Sequence, residues 1–274
     1  MKKICFRVFK VFSFFVVSLF LFIVGIYLYN EWLNSNIKVK YEVIEINDLP
    51  EEFEDFTILH FADLHGVEFG KKQKKLINLI KSLSYDVVAI TGDVIDRHNP
   101  TLQPLYDLLD GIMDGTPVLF SQGNVDTDED FNSIRNYGVE VMDNPFIIER
   151  NGEKLVFQKY AFYQKVDPQY DDSIVIGLGH EPFPQDLGYS LILVGHYHGG
   201  QIRIPGYGAL FVPAVEGTQW VTDQSQIIGV QDFGTYSQHI TGGLGASADF
   251  KWLQKRWFNP PEINLLTLKS RQIN

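Results

Sequence analysis

Cysteine is nearly absent: Cys5 is the only one in 274 residues. Everything beyond it lacks disulfides and thiolate ligands, which excludes a disulfide-stapled fold and an iron–sulfur or Cys-type zinc site. Positive charge is also scarce. The 23 Lys and Arg against 34 Asp and Glu give a net charge of −11, which argues against a binder of nucleic-acid backbones. No repeat of solenoid period, low-complexity tract or central linker interrupts the chain. Apolar residues, by contrast, are plentiful. They make up 45% of the chain, with 14% aromatics, enough for a sizeable core and too many for a disordered chain.

Val11 to Tyr29 is uncharged and almost wholly apolar. As a helix it reaches roughly 28 Å, close to the hydrocarbon thickness of a bilayer. Lys2, Lys3, Arg7 and Lys10 precede it and Glu31 follows. The positive-inside rule then predicts a single-pass cell-membrane protein with a cytoplasmic N-terminus and the rest extracytoplasmic. A cleaved signal peptide is the competing reading, but the run is long for one and no small-x-small cleavage site follows. The expected organisation is residues 1–30 as cytoplasmic N-terminus and transmembrane anchor, 31–55 as connector and edge strand, and 56–274 as the functional domain.

Beyond the anchor, Ile37 to Ile46 alternates like an edge strand. Runs at Phe56–Ala62, Val87–Thr91 and Pro117–Ser121 read as buried strands. Lys71–Ser84 and Leu102–Met113 have helical apolar spacing, with the four lysines of the first on a solvated face. Asp128-Glu129-Asp130 suits a helix N-terminus, and Phe146–Phe162 turning at Asn151-Gly152 reads as a β-hairpin. Two mixed sheets covered by helices are expected.

Five polar clusters each close an apolar run: Asp63-Leu64-His65, Gly92-Asp93-Val94-Ile95-Asp96, Gly123-Asn124-Val125-Asp126, Gly179-His180-Glu181 and Gly195-His196-Tyr197-His198. Carboxylates, imidazoles and a carboxamide at strand ends form a donor set for Mn, Fe, Zn or Mg. Asp63 and His65, two apart, can reach one cation, and Asp93 has two oxygens with which to bridge a pair. Two divalent ions about 4 Å apart can hold a hydroxide between them and clamp a phosphoryl group. Each cluster alone is more readily a turn, a cap or a loop histidine; the ordered combination is what points to a metal centre.

In that order, from Asp63 to His198, the pattern resembles the calcineurin-like metallophosphoesterase superfamily. It is most similar to a membrane-associated bacterial branch related to UDP-diacylglucosamine hydrolases, through GHYHGGQIRIPGYGALFVP and the closing NPPEINLLTLK. The resemblance spans roughly residues 37 to 270. It implies a four-layer αββα sandwich of two mixed sheets. One divalent ion would be held by Asp63, His65, Asp93 and His198, and the other by Asp93, Asn124, His180 and His196. Asp96 and Asp126 would orient ligands and neighbouring backbone, while His60, His98 and His239 match no motif position and are left as structural.

Where the family writes Gly-Asn-His, this chain has Gly123-Asn124-Val125, and Gly242 stands where many relatives carry Arg. Loss of a positioned general acid typically costs about 10²–10⁴ in rate. Two readings follow. The first is a metal-dependent phosphoesterase cleaving a phosphate ester or pyrophosphate with a good leaving group, on a small-molecule or lipid-linked substrate. The second is a weakly active metal-binding domain that recognises a phosphorylated ligand.

Overall fold

The computed structural model describes residues 2–212, 224–248 and 254–271. Pro213, which ends the segment beginning at Gly195, lies outside them. A 33-residue helix, α1 (Lys2–Asn34), carries the apolar run, and its Phe9–Asn34 stretch is long and apolar enough to cross a membrane.

After it come β1 (Lys38–Ile46), β2 (Thr57–Phe61), α2 (Lys74–Ile80), β3 (Val87–Thr91), α3 (Gln103–Ile112), β4 (Val118–Ser121), α4 (Asp128–Asn136) and β5 (Glu140–Val141). The second half supplies β6 (Phe146–Arg150), β7 (Glu153–Lys159), β8 (Ile174–Leu178), β9 (Leu191–Val194), β10 (Ile202–Ile204), β11 (Gly208–Phe211), β12 (Gly229–Asp232), β13 (Ser237–Ile240) and β14 (Glu262–Ser270).

Two six-stranded mixed sheets pack face to face. The first has the order β1-β14-β2-β3-β4-β5 and the second β12-β13-β9-β8-β7-β6, while β10 and β11 form a separate hairpin. Strand periodicity divides the apolar side chains. Ile58, Val87, Ala89 and Leu119 face Phe157, Ile176, Leu191 and Leu193 of the second sheet, forming the inner core. Leu59, Phe61, Val88, Ile90 and Phe120 point outward under α2, α3 and α4. The expected hairpin forms at Asn151 (φ 52°) and Gly152 (φ 92°), the paired positive φ that a tight two-residue turn requires. Thr127 caps α4 reciprocally with Asp130, as the acid run there suggested.

Two expectations are modified. The helix expected over 71–84 is regular only from Lys74 to Ile80, because Lys72 and Gln73 adopt left-handed backbone. Gln73 is buried, and its amide bonds Phe69 N–H and Val67 C=O instead of joining the helix. The outer face of the second sheet, expected under helices, is covered among the described residues by loops. Tyr160, Val166, Tyr189 and Tyr236 pack there, with one short 3-10 turn at Pro168–Tyr170. The 160–173 and 179–190 connections around β8 form no α-helix, and Pro182 and Pro184 deny one to the second.

Candidate metal centre

The carboxyl ends of β2, β3, β4, β8 and β9 converge on one edge of the sandwich, and each polar cluster sits just past its strand. The chain turns there on a run of unusual backbone. Asp63 (φ 55°), His65 (φ 44°), Asp93 (φ 54°), His196 (φ 72°) and His198 (φ 51°) all lie in the left-handed region. Such conformations cost on the order of 1–3 kcal/mol each for non-glycine residues and persist only where surroundings hold them. Two glycines are obligatory here. A Cβ on Gly123 would lie 2.2 Å from Asp93 Oδ1, and one on Gly243 (φ 68°) 2.6 Å from Asp63 Oδ2.

Asp63, His65 and His198 form one buried group, and Asp93, His180 and His196 another. Asp93 Oδ2 stands 3.6 Å from His65 Nε2 and 3.2 Å from His180 Nε2, so a single oxygen faces both groups. Asn124 Oδ1 lies 3.1 Å from His196 Nδ1, on the second group's side. Thus all seven expected ligands are brought together.

Four buried atoms there have no hydrogen-bond partner: Asp63 Oδ1, His65 Nε2, His196 Nε2 and His198 Nδ1. Buried polar atoms are ordinarily satisfied, and a cluster of orphaned nitrogen and oxygen donors fits divalent cations. The surrounding bonds aim them. His180 Nδ1 donates to Thr91 C=O at 2.7 Å and His65 Nδ1 to Ile95 C=O at 3.2 Å, leaving each Nε2 for the site.

The charges are strained as well. Burial pushes the Asp63 carboxyl up to about 7. Burial opposes charge on His180, but Asp93 and Asp63 overcome it and raise the imidazole to about 10. Burial would also raise Asp93, yet its contact with His180 holds it well below the ordinary carboxylate range. Without a metal, therefore, His180 and Asp93 neutralise each other. His196 is depressed by burial to about 4, ready as a neutral donor.

Asp126 accepts backbone N–H bonds from Asp93 (2.7 Å), Val94 (2.8 Å) and Gly123 (2.9 Å), tying two ligand loops together. Asp96 accepts from the N–H of His98 and Asn99 in its own loop and from the Gln254 amide of a distant segment. The Val125 side chain packs beside the helix-covered core, while its N–H donates to Asp93 Oδ1 at 2.8 Å. His60 and His239 meet at 2.8 Å between the sheets, and His239 lies 3.2 Å from Glu42. Both are fully buried, with His60 Nε2 2.9 Å from Thr91 Oγ1, and His98 is exposed.

Sequence reasoning missed Arg256 and Asn259. The fully buried Arg256 guanidinium donates to the carbonyls of Gly245, Gly242 and His198, and Asn259 Nδ2 also donates to His198 C=O. A cation thus does lie behind Gly242, delivered by a different segment. Nothing in the pattern around Arg256 signals burial; only the Asn-Pro-Pro that follows marks a fixed turn. Beside Asn124 and His180 opens a cleft of about 240 Å³, walled by Tyr160, Phe162 and Phe183 with Lys159 on its margin.

The sequence profile of the calcineurin-like phosphoesterases matches residues 56–200, more than half the chain and every cluster above. The chain belongs to the calcineurin-like phosphoesterase family. Members bind divalent metals and are hydrolases acting on phosphate esters. A metallophosphoesterase of Bacillus subtilis strain 168, YkuE, itself uncharacterized, is 26% identical over 90% of this chain and 91% of its own length. The phosphodiesterase YaeI of Escherichia coli K12 is 26% identical over 78% of this chain and 82% of its own. Among solved structures, the E. coli phosphoesterase YfcE aligns at 12% identity and a TM-score of 0.36, covering 71% of this chain and 83% of that one.

Proposed function

We propose that this calcineurin-like chain is a dinuclear phosphoesterase. It would stand on the outer face of the cell membrane, with α1 as an uncleaved anchor whose N-terminus is cytoplasmic and residues 56–274 as its catalytic domain. The observation that carries the reading is the pair of buried His/Asp groups sharing one Asp93 oxygen. Asp63, His65, Asp93 and His198 would hold one ion, and Asp93, Asn124, His180 and His196 the other. Bound there, the pair supplies Lewis-acid charge for a phosphoryl group and lowers the pKa of water.

The chain's own groups do the rest. Asp93 is fixed from behind by Val125 N–H, so its second oxygen keeps its place between the groups. Asn124 offers a neutral oxygen where a further carboxylate would over-neutralise the site. Asp126 holds the backbone of both loops in register. Valine at 125 provides no proton for a departing alkoxide, so the reading assigns substrates whose leaving group departs without one, such as aryl esters or pyrophosphates. The same valine favours the second reading, a metal-binding domain that recognises a phosphorylated ligand without turning it over.

The full chain in detergent with Mn²⁺, assayed on aryl and alkyl phosphates, separates them. Turnover of aryl esters, with alkyl turnover gained by Val125→His, supports the phosphoesterase. Two bound metals with no turnover of any phosphoester would replace it with the binding domain.

A further inference from the structure

The anchor does not hang from the domain on a flexible tether. Only Ser35, Asn36 and Ile37 separate α1 from β1, too few to act as a free linker. The last turn of α1 is also locked in place. Asn30 is fully buried; its Nδ2 donates to Arg256 C=O at 2.8 Å and its Oδ1 accepts from Phe258 N–H at 2.8 Å. Asn34 Nδ2 donates to the same Arg256 carbonyl at 3.0 Å, and Lys255 pairs with Glu31. Tyr29 stacks 5.8 Å from Trp32 and contacts Phe258 at 6.3 Å, while the Lys255 ammonium sits 4.2 Å above the Tyr27 ring. The side chain of that same Arg256 supports His198. One residue therefore joins the anchor to a candidate metal ligand.

Strand directions say which edge of the domain the anchor meets. β14 runs antiparallel to β2 with Asn264 beside His60, and β1 runs parallel to β14 with Lys38 beside Glu262. Hence β1 begins at the edge where β2 ends, the edge that carries the metal-ligand cluster. Across the cluster, just past the end of β7, Phe162 and Tyr163 are 50% and 71% exposed with their rings 3.9 Å apart, and Phe162 packs 4.8 Å from Phe183. The opposite edge has another character: the Asn151–Gly152 turn lies there, and the cleft beside it is lined by Asp48, Glu153, Asp171 and Asp172.

We infer that the edge bearing the metal-ligand cluster is a bilayer-docking face, held at the headgroup layer by the locked end of α1, and that the phosphate it hydrolyses is carried on a membrane lipid. The occupant follows from continuity: the spanning helix enters the domain at this edge, and exposed aromatic rings on both sides of the cluster suit a membrane–water interface. The cleft of Tyr160, Phe162 and Phe183 offers an apolar wall to a lipid, with Lys159 among its lining residues. The lipid substrate rests on the phosphoesterase reading; the docking face does not. For a lipid pyrophosphate, the oxygen of water bonds to the terminal phosphorus and the P–O–P bond breaks. Orthophosphate and the lipid monophosphate leave, sharing the two protons of the water.

The test uses the full chain in phosphatidylcholine vesicles containing diacylglycerol pyrophosphate. In a Cys5→Ser background, Tyr163→Cys and Lys154→Cys each carry a fluorophore, on the cluster-bearing and opposite edges respectively. Headgroup spin-labelled lipid should quench the label at 163 several-fold more than the label at 154. Equal quenching, or shielding of 163 from both lipid and aqueous iodide, overturns the docking face. With Mn²⁺, release of orthophosphate from the vesicle lipid supports the substrate assignment. Hydrolysis of p-nitrophenyl phosphate without the lipid overturns that assignment alone, and hydrolysis of neither overturns the phosphoesterase reading while the quenching result stands on its own.

Discussion

Asp126 never touches a substrate in this reading, yet its removal should disable the site. Its carboxylate is buried and holds three short bonds from Asp93, Val94 and Gly123 N–H, with a longer one from Ile95 at 3.4 Å. Hydrogen bonds to a charged acceptor are worth about 1.5–3 kcal/mol each, so three set a ceiling of roughly 5–9 kcal/mol for Asp126→Ala. Two effects offset this. Burial, followed by repulsion from Asp93, raises the Asp126 pKa, so the carboxylate is itself costly to keep. Water can also enter the space that alanine vacates. The net loss should be about 3 kcal/mol, read as a lower urea midpoint of the metal-free full chain in detergent, with unchanged slope. Calorimetric titration with Mn²⁺ should show affinity down about 10–100-fold, the usual cost of releasing a ligand's support. Wild-type midpoint and wild-type affinity in Asp126→Ala would refute the idea that this carboxylate braces the two ligand loops.

Gly123→Ala places a methyl 2.2 Å from Asp93 Oδ1 and should cut the bound metal, measured by elemental analysis, while leaving far-ultraviolet circular dichroism unchanged. Retention of both ions would show that Asp93 can shift freely. The His239 imidazole 3.2 Å away, working against burial, holds the Glu42 carboxyl below its ordinary 4.5. A depressed carboxyl contributes stability that is fully present above pH 4.5 and is lost as pH falls through the folded value. Glu42→Gln should therefore lower the urea midpoint at neutral pH and converge with wild type in acid; a constant difference at all pH values would contradict the pairing. Mn²⁺ at about 100 times its Kd should add about 2.7 kcal/mol per site, raising Tm by several degrees, reversibly with chelator. A Tm indifferent to both additions would deny the metal centre.

Much of this architecture was written in short-range patterns. A buried strand such as VVAIT is apolar until Thr91 at its end, so its type and ends were plain, and Asn151-Gly152 named its own turn. The convergence of the polar clusters was legible because each follows a strand directly, and parallel strands end on a common edge. Other features have no local signature. Gln73 breaks a helix that its neighbours favour because its amide satisfies a buried loop. The loop cover of the second sheet goes with Pro168, Pro182 and Pro184 in the connections between β7, β8 and β9. Arg256 looks like one more surface cation in KWLQKRWFNPP, and its burial follows from five partners drawn from three separate segments.

The left-handed backbone at Asp63, His65, Asp93, His196 and His198 gives these separate supports a common purpose. Five such residues at on the order of 1–3 kcal/mol each represent a large load for one edge of a domain. The fold meets it with backbone bonds that survive without any metal: Asp126 on the Asp93 and Gly123 loops, Arg256 and Asn259 on the His198 carbonyl, and Gly243 and Gly195 making room for Asp63. Ligands fixed in this way need little reordering when a cation arrives, so binding energy is not spent on organising the site. One of the two supports of His198, Arg256, also receives Asn30 and Asn34 of α1 through its carbonyl. The last turn of α1 thus shares a residue with the scaffold behind His198. In the docked arrangement proposed above, the shared residue Arg256 would make the position of the domain over the bilayer and the geometry of the His/Asp cluster two consequences of one contact.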